Sequence, residues 1–595
     1  MSALRREIPR AVDPVTASGL IDLATAAGLQ PLDPAEWSRL LHGGRFGARV
    51  LRHALWRHLA DKPAGRRLLP ASATAADPYE RLLLTAAGGR FFDFPGLPHG
   101  DGLLVVQSML VGAMDNPGEG LSGGLGVFLG SLGDTLAQHA AVDAVITLVT
   151  ADAASLRREP SLLRRRGEGH WTLGLPVDDH DSAGEQAGTA LAWWIRRLLS
   201  GMPRRPDLMH VRFADDRSLA VAEAAGHLSV PLVFTATPDP HRRLNEHRAA
   251  REEPEAAKAS EELRHDLHRV FVADRLVDRA HKVVAIPGRG GTAELISYFP
   301  QLVALGSGLS APPEGITTYR PAPNEPEGHA ALLKRLYGGG DGLSSLDPTT
   351  RPLPLFLTVG RMHPVKQQYA LVRGWLDAGL HRRSAMVIIG GTADLDASDI
   401  AEREVRTSIE SLLDAYPQAA GRLALMPALP NAEVRRLERA LADSDSTGQA
   451  YYVCPSAKEE FGIAVLEAMD AGLPVAATDR GGIPHYLQDG VNGLLLDASS
   501  PTTLAAGLSR LLAVPPGDLA AMRARAADTV RSAYSIEAAA SAFATVYLDV
   551  AADQPRDRRA LAQHTRASGY PDAALERTPT NPGALEHERS ARGYP

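Results

Sequence analysis

KEEFGIAVLEAMDAGLPVAATDRGGIPHYLQDGVNGLLLD, residues Lys458 to Asp497, sets two carboxylates around a helix start and follows them with a diglycine turn. Glu459 precedes the helical pattern, and Phe461, Gly462 and Ile463 fall at its first turn, where backbone N–H groups have no intrahelical partner. Glu467 lies about a turn and a half inside, so the carboxylates and the amides can share one cleft. Ile463, Leu466 and Met469 form the apolar stripe, and Gly472 followed by Pro474 ends the helix. The next apolar run, Val475 to Thr478, reads as a buried parallel strand that carries Gly481 and Gly482 to the same edge. Carboxylates suit ribose and hexose hydroxyls, and amides suit phosphate. The segment therefore has the parts to hold a sugar nucleotide.

A second stretch, LFLTVGRMHPVKQ from Leu355 to Gln367, is an apolar strand followed by a loop bearing Arg361 and Lys366. An amphipathic helix with solvated glutamates, or a pair of surface bases, would explain either stretch alone. Both together, in this order, argue against coincidence. The first stretch resembles the donor-binding motif of retaining glycosyltransferase family 4, with its two glutamates separated by seven residues, here Glu459 and Glu467. The second resembles that family's strand and Arg-to-Lys loop. The resemblance implies that Glu459 and the amides near Phe461, Gly462 and Ile463 meet the donor sugar, that Glu467 meets the nucleoside ribose, and that Arg361 and Lys366 neutralise the departing diphosphate. Two cations placed there lower the barrier more than they tighten binding.

At 595 residues the chain exceeds one hydrophobic core. Its hydrophobic fraction of 44% and charged fraction of 22% are those of a soluble globular protein. A formal charge of −7 leaves no basic footprint, so nucleic acid is not an expected partner. The single cysteine, Cys454, excludes an internal disulfide and reads as a buried strand residue. With no secretory pattern at the start and no long apolar run, the expected location is cytoplasmic and no membrane partner is expected. Oligomeric state is not legible.

Residues 1–95, with helical spacing around Trp37, Leu40, Leu51, Leu55 and Leu59, read as a helical extension packed on the catalytic body. From Leu103 short apolar runs alternate with helical stretches, which argues for parallel β/α units over 96–330; a second set spans 350–535. A Gly, Pro and Glu-rich stretch from Ala322 to Asp347 separates them. Residues 536–552 read as a crossover helix and 553–595 as a disordered tail. The fold class is α/β, and by resemblance GT-B: two facing Rossmann-like domains with parallel sheets.

In the first set, LSGGLGVFLGSLGDTLA (Leu121–Ala137) opens a helix at Gly123 and Gly124, whose backbone can approach a diphosphate. It resembles the glycine-rich loop of sucrose-phosphate synthases. A rival reading takes Gly124, Gly126 and Gly130 with Asp152 as a nicotinamide-dinucleotide site; the long loop after the preceding strand disfavours it. DLMHVRFADD (Asp207–Asp216) and PLVFTATPDPHRRL (Pro231–Leu244) resemble further loops of the sucrose-phosphate synthase branch. Two departures stand out. Arg212 occupies the place of a usual histidine, and Thr237 replaces the histidine expected beside the donor sugar, with His241 four residues later. The expected acceptor residues are Asp215, His241, Arg242 and Arg243. The arginine-rich LRREPSLLRRRGEGHW (Leu156–Trp171) reads as a surface loop or a phosphate contact. Asp394 with Asp396, and Asp443 with Asp445, have metal-binding spacing but fall outside the supposed centre; no metal and no cofactor are expected.

These readings point to a retaining glycosyltransferase moving a sugar from a nucleoside-diphosphate sugar to a small sugar or polyol, phosphorylated or not. Three alternatives stay open: a pseudo-glycosyltransferase coupling a nucleotide-activated cyclitol to an amine or alcohol, an NAD(P)-dependent oxidoreductase, and a non-catalytic binding protein on a transferase fold.

Overall fold

Among the described residues thirteen strands fall into two sheets. The computed structural model describes residues 1–552, apart from 43–47, 90–93, 95, 98–99, 112–113, 115–122, 159–160, 179–184, 238–239, 243, 246–255, 287–290, 305–308, 322–324, 340–342 and 393–397. The tail expected over 553–595, the pair Asp394 and Asp396, and Arg243 lie outside the described residues.

The first sheet comprises β1 (Leu103–Met109), β2 (Val142–Ala151), β3 (Leu163–Gly167), β4 (His170–Pro176), β5 (Leu208–Val211), β6 (Leu232–Ala236) and β7 (Lys282–Ala285), in the order β3-β4-β2-β1-β5-β6-β7. All neighbours are parallel except β3, which runs antiparallel to β4. The second comprises β8 (Leu355–Val359), β9 (Ala385–Ile389), β10 (Leu423–Met426), β11 (Ala450–Cys454), β12 (Val475–Thr478) and β13 (Leu494–Leu496), all parallel, in the order β10-β9-β8-β11-β12-β13. Strands such as β5, β6, β9, β11 and β12 are buried along their whole length, as sheets covered by helices on both faces require. Each sheet reverses its direction of growth once. In the first, the reversal lies between β1 and β5; in the second, between β8 and β11. Ligands of open α/β sheets bind in such crevices, at the carboxyl ends of the strands.

Three features differ from the sequence expectation. The arginine-rich stretch is not one loop: Arg157 and Arg158 end the helix Ala153–Arg158, while Arg164, Arg165 and Arg166 lie on β3. The fully buried β4 recruits β3 through a turn at Gly169, whose φ of +69 suits glycine, and the arginines mark β3 as a charged sheet edge. The stretch before β8 contains a helix, Glu325–Leu336, with acids in its first turn, bases in its last and Leu333 and Leu336 buried, so local charge placement outweighs its glycine and proline content. The three-residue β13 is too short to leave a periodic signal.

The N-terminal helices, among them Pro14–Ala26, Pro34–His42 and Arg49–Ala60, close their own core around Trp37, Leu51, Leu55 and Leu59. Arg49 fastens them to the first sheet with a bidentate pair to the buried Asp178 that follows β4, at 2.6 and 2.9 Å.

Two chain segments pass between the sheets and pair with one another. Ile316 donates to Tyr534 O (2.9 Å) and accepts from Ile536 N (2.8 Å). Beyond this point the helix Ile536–Ala552 returns to the first sheet, where Phe543 packs on Phe128 and the Tyr547 hydroxyl meets His210 at 2.8 Å. One apolar cluster therefore runs from Val105 and Val233 of the first sheet through Phe543 to Leu357 and Val387 of the second.

Candidate active site

The crevice between β8 and β11 gathers most of the residues singled out from the sequence. Arg361 lies two residues past β8 and Lys366 seven past it, in the loop and 3-10 turn Pro364–Lys366. Glu459 follows β11 by five residues, and Gly481 follows β12 by three. Parallel register puts these strand ends on one edge: Leu357 faces Tyr452, and Tyr452 faces Val475.

Backbone contacts then lock the loops together. The Ala457 N–H donates to Val365 O (2.8 Å), Glu459 bridges Gly481, and Gly482 N–H donates to Glu459 O (2.8 Å). Gly481 has φ +93, and a methyl group there would sit 1.8 Å from the Glu459 carbonyl oxygen. Only glycine permits that approach. The diglycine is thus a clamp on Glu459, and the Gly482 amide assigned to the donor is already hydrogen-bonded to the chain.

Lys366 Nζ donates to Glu459 Oε1 at 2.5 Å, and Ser456 Oγ donates to the same oxygen at 2.6 Å. Burial, with a contribution from Arg361, holds the His363 imidazole below its usual range, as expected where cations gather. Cys454 is buried beneath, its sulfur 3.6 Å from Glu459 Oε1; burial and that carboxylate push its thiol up to about 12, so it is a packing residue.

The helix Ile463–Ala471 starts from Gly462, at φ +82, where a methyl group would lie 2.8 Å from the Tyr486 hydroxyl. That hydroxyl donates to Phe461 O (2.9 Å), and the Phe461 ring packs on Tyr486 and Tyr534. Phe461 is therefore a core side chain that offers the cleft only its backbone. Gly472, at φ +85, ends the helix.

Glu467, a turn into that helix, is buried and accepts from Asn431 Nδ2 at 2.9 Å. Burial raises its carboxyl above the usual range, with Arg435 and Asn431 opposing. Glu438 lies within electrostatic reach; burial, with the Glu467 carboxylate, drives its carboxyl well above the usual range. Tyr452 of β11 lies within electrostatic reach of Glu438, Glu459 and Glu467; burial, with these carboxylates, raises its hydroxyl well above the usual range. Asn431, Glu438 and Ser456 were missed from the sequence. The signal for two of them was their place just past a strand end: Asn431 opens the helix after β10, and Ser456 follows β11 by two residues.

Across the crevice, the helix Gly123–Leu136 brings its first turn to the second sheet's helix: a methyl group at Gly124 would lie 3.1 Å from Ile463 Cβ. Two helix starts thus abut, and both favour an anion. Among the described residues, no group of three or more His, Cys, Asp or Glu side chains could hold a metal ion, and no helix is long and apolar enough to cross a membrane.

Residues 441–530, which contain the Glu459 loop, the helix Ile463–Ala471 and the Gly481 clamp, match the family described as glycosyl transferases group 1. The chain carries a glycosyltransferase group 1 domain. The chain is 35% identical over 199 residues to a sucrose synthase of Acidithiobacillus caldus, covering 33% of this chain but only 24% of that protein's length. It is 27% identical over 495 residues to a D-inositol 3-phosphate glycosyltransferase of Streptomyces griseus, covering 80% of this chain and 95% of that one. Sucrose-phosphate synthase from Thermosynechococcus elongatus superposes with a TM-score of 0.56 at 18% identity, over 76% of this chain and 99% of that one. The two sheets around the group 1 domain have the GT-B architecture.

The expected acceptor residues are not gathered in the same way. Asp215 caps the helix Asp216–Leu228, accepting from Ser218 N at 2.7 Å. His241 stacks edge-on against Phe299, with Asp274 Oδ1 3.4 Å from its Nε2. Arg242 pairs with Glu294. The structure thus gives these three contacts within the first lobe. Asp152, the acid of the dinucleotide reading, caps the helix that follows β2, accepting from Ser155 N at 2.7 Å. Asp443 ends a helix in an ion pair with Arg439.

Proposed function

We propose that the chain is a retaining glycosyltransferase that transfers a sugar from a nucleoside-diphosphate sugar to a small sugar or polyol acceptor, without a metal or a cofactor. The observation that carries this reading is the convergence of the Arg361–Lys366 loop, the Glu459 loop and the start of the helix Ile463–Ala471 at one switch point. In this reading Glu467, with Asn431 beside it, takes the ribose hydroxyls, and Glu459 takes the donor sugar. The helix-start amides at Gly462 and Ile463, with the first turn at Gly123 and Gly124, face the diphosphate.

Cleavage of the sugar–phosphate bond leaves negative charge on the diphosphate, where Arg361 and Lys366 stabilise it more in the transition state than before it. Lys366 can leave Glu459 for the diphosphate, because Ser456 still holds that carboxylate. The acceptor hydroxyl attacks from the face the diphosphate leaves, and a diphosphate oxygen takes its proton. Tests are direct. Full-length protein incubated with uridine, adenosine, guanosine and thymidine diphosphate sugars plus sugar and polyol acceptors should release one nucleoside diphosphate, and proton NMR of the product should show the donor's anomeric configuration. Inverted product, or no turnover and no nucleotide binding across the panel, would sink the reading.

One observation favours a second reading. Thr237 stands where a histidine was expected, and His241 packs edge-on against Phe299. Coupling of a nucleotide-activated cyclitol to an amine or alcohol would use the same diphosphate grip, and turnover with such donors but with no nucleotide sugar would select it.

A further inference from the structure

The first sheet has its own switch point, between β1 and β5, and Arg212 is the first residue beyond the carboxyl end of β5. Its guanidinium carbon lies 5.2 Å from the Phe128 ring centroid and 4.6 Å from that of Phe543, so the returning helix and the glycine-started helix sandwich it. The side chain is buried, yet its Nε and Nη2 have no hydrogen-bond partner. That pair is the side of the guanidinium that presents two parallel N–H groups, the fork that fits two oxygens of a carboxylate or phosphate. A buried cation with this edge unmatched costs several kcal/mol, more than two aromatic faces return. The acid nearby is Glu314, on the segment that joins the lobes, with Glu460 of the donor loop beyond it.

We infer that Arg212 is an oxyanion-binding residue, taking a phosphate monoester or carboxylate of the acceptor at the first sheet's switch point. This deepens the proposed function and rests on its placing the acceptor in the first lobe. Because the fork is closed off from solvent, the anion enters as the lobes part about the Ile316 and Ser535 pairing, and the attacking hydroxyl of the same molecule is left toward the donor loop.

The test uses the full chain carrying Arg361→Ala, so that the diphosphate grip does not itself bind the probe. It is titrated calorimetrically at fixed ionic strength with glycerol 1-phosphate, with glycerate and with glycerol. Saturable binding of one anion but not of glycerol is expected. It should weaken about ten- to hundredfold in Arg212→Lys, which keeps the charge and loses the fork, and vanish in Arg212→Met. The stronger anion names the group. Equal binding in all three proteins, each folded by circular dichroism, or no saturable binding of either anion, overturns the inference. Nucleoside diphosphate binding to the unsubstituted chain is measured alongside: its absence, with Arg212-dependent anion binding intact, would remove the transferase reading and leave this site standing.

Discussion

Gly481→Ala should disable the site through the backbone alone. At φ +93 an alanine pays about 1–2 kcal/mol of left-handed strain. Its methyl group would also stand 1.8 Å from the Glu459 carbonyl oxygen, so the two loops must separate by more than an ångström to reach ordinary contact. That separation breaks the bond from Gly482 N–H to Glu459 O, worth about 1 kcal/mol. The sum is about 2–3 kcal/mol of local destabilisation, expressed as a modest fall in melting temperature. The functional loss should be larger, because Glu459 carries Lys366 and Ser456 at 2.5 and 2.6 Å and moves with its backbone. An ångström of misplacement at a reacting centre costs about a hundredfold in turnover. Gly482→Ala is the comparison: its φ of −84 is open to any residue, so it adds no left-handed strain. Turnover by nucleoside diphosphate release, with melting followed by circular dichroism, reads both variants. Wild-type turnover in Gly481→Ala would refute the clamp and the role given to Glu459.

Glu467→Gln should weaken nucleoside diphosphate binding about tenfold or more by calorimetry, since one of the two carboxyl oxygens offered to the ribose hydroxyls is replaced by a donor; unchanged affinity would move the ribose elsewhere. Arg361→Ala and Lys366→Ala should each lower kcat about a hundredfold while changing donor affinity less, and a loss confined to KM would show uniform binding instead. Glu314, raised from the carboxylate range to about 7, binds a proton in the folded state that the unfolded chain has released. Its contribution to stability is complete below about pH 4.5 and is lost as pH rises through 7, about 3 kcal/mol in all. Glu314→Gln should therefore gain stability relative to the native chain between pH 5 and pH 8 in denaturant melts; parallel curves would contradict the buried-acid account.

The second lobe was legible because its chemistry is local. Strand ends, helix starts and positive-φ glycines are written in short runs, and β12 and the end of the helix Ile463–Ala471 fall where Val475–Thr478 and Gly472 put them. What escaped depends on long-range pairing. β3 forms only because β4 offers it an edge, and nothing in LLRRRG announces that. Asn431 and Glu467 are 36 positions apart and meet only when the sheet is built. The contacts of the expected acceptor residues were also not legible: Asp215 and His241 are polar residues beyond strand ends, and the cap and the aromatic contact they make are visible only in three dimensions. Arg212 was noticed as a departure, but its unmatched fork is a property of its packing between the Phe128 and Phe543 rings of two helices distant in sequence.

The most direct measurement is a crystal structure of the full chain with the nucleoside diphosphate that binds it tightest. The account predicts the diphosphate within hydrogen-bond distance of Arg361, Lys366 and the amides at the start of the helix Ile463–Ala471, with ribose on Glu467. A nucleotide bound at any other crevice, with these residues untouched, would contradict it.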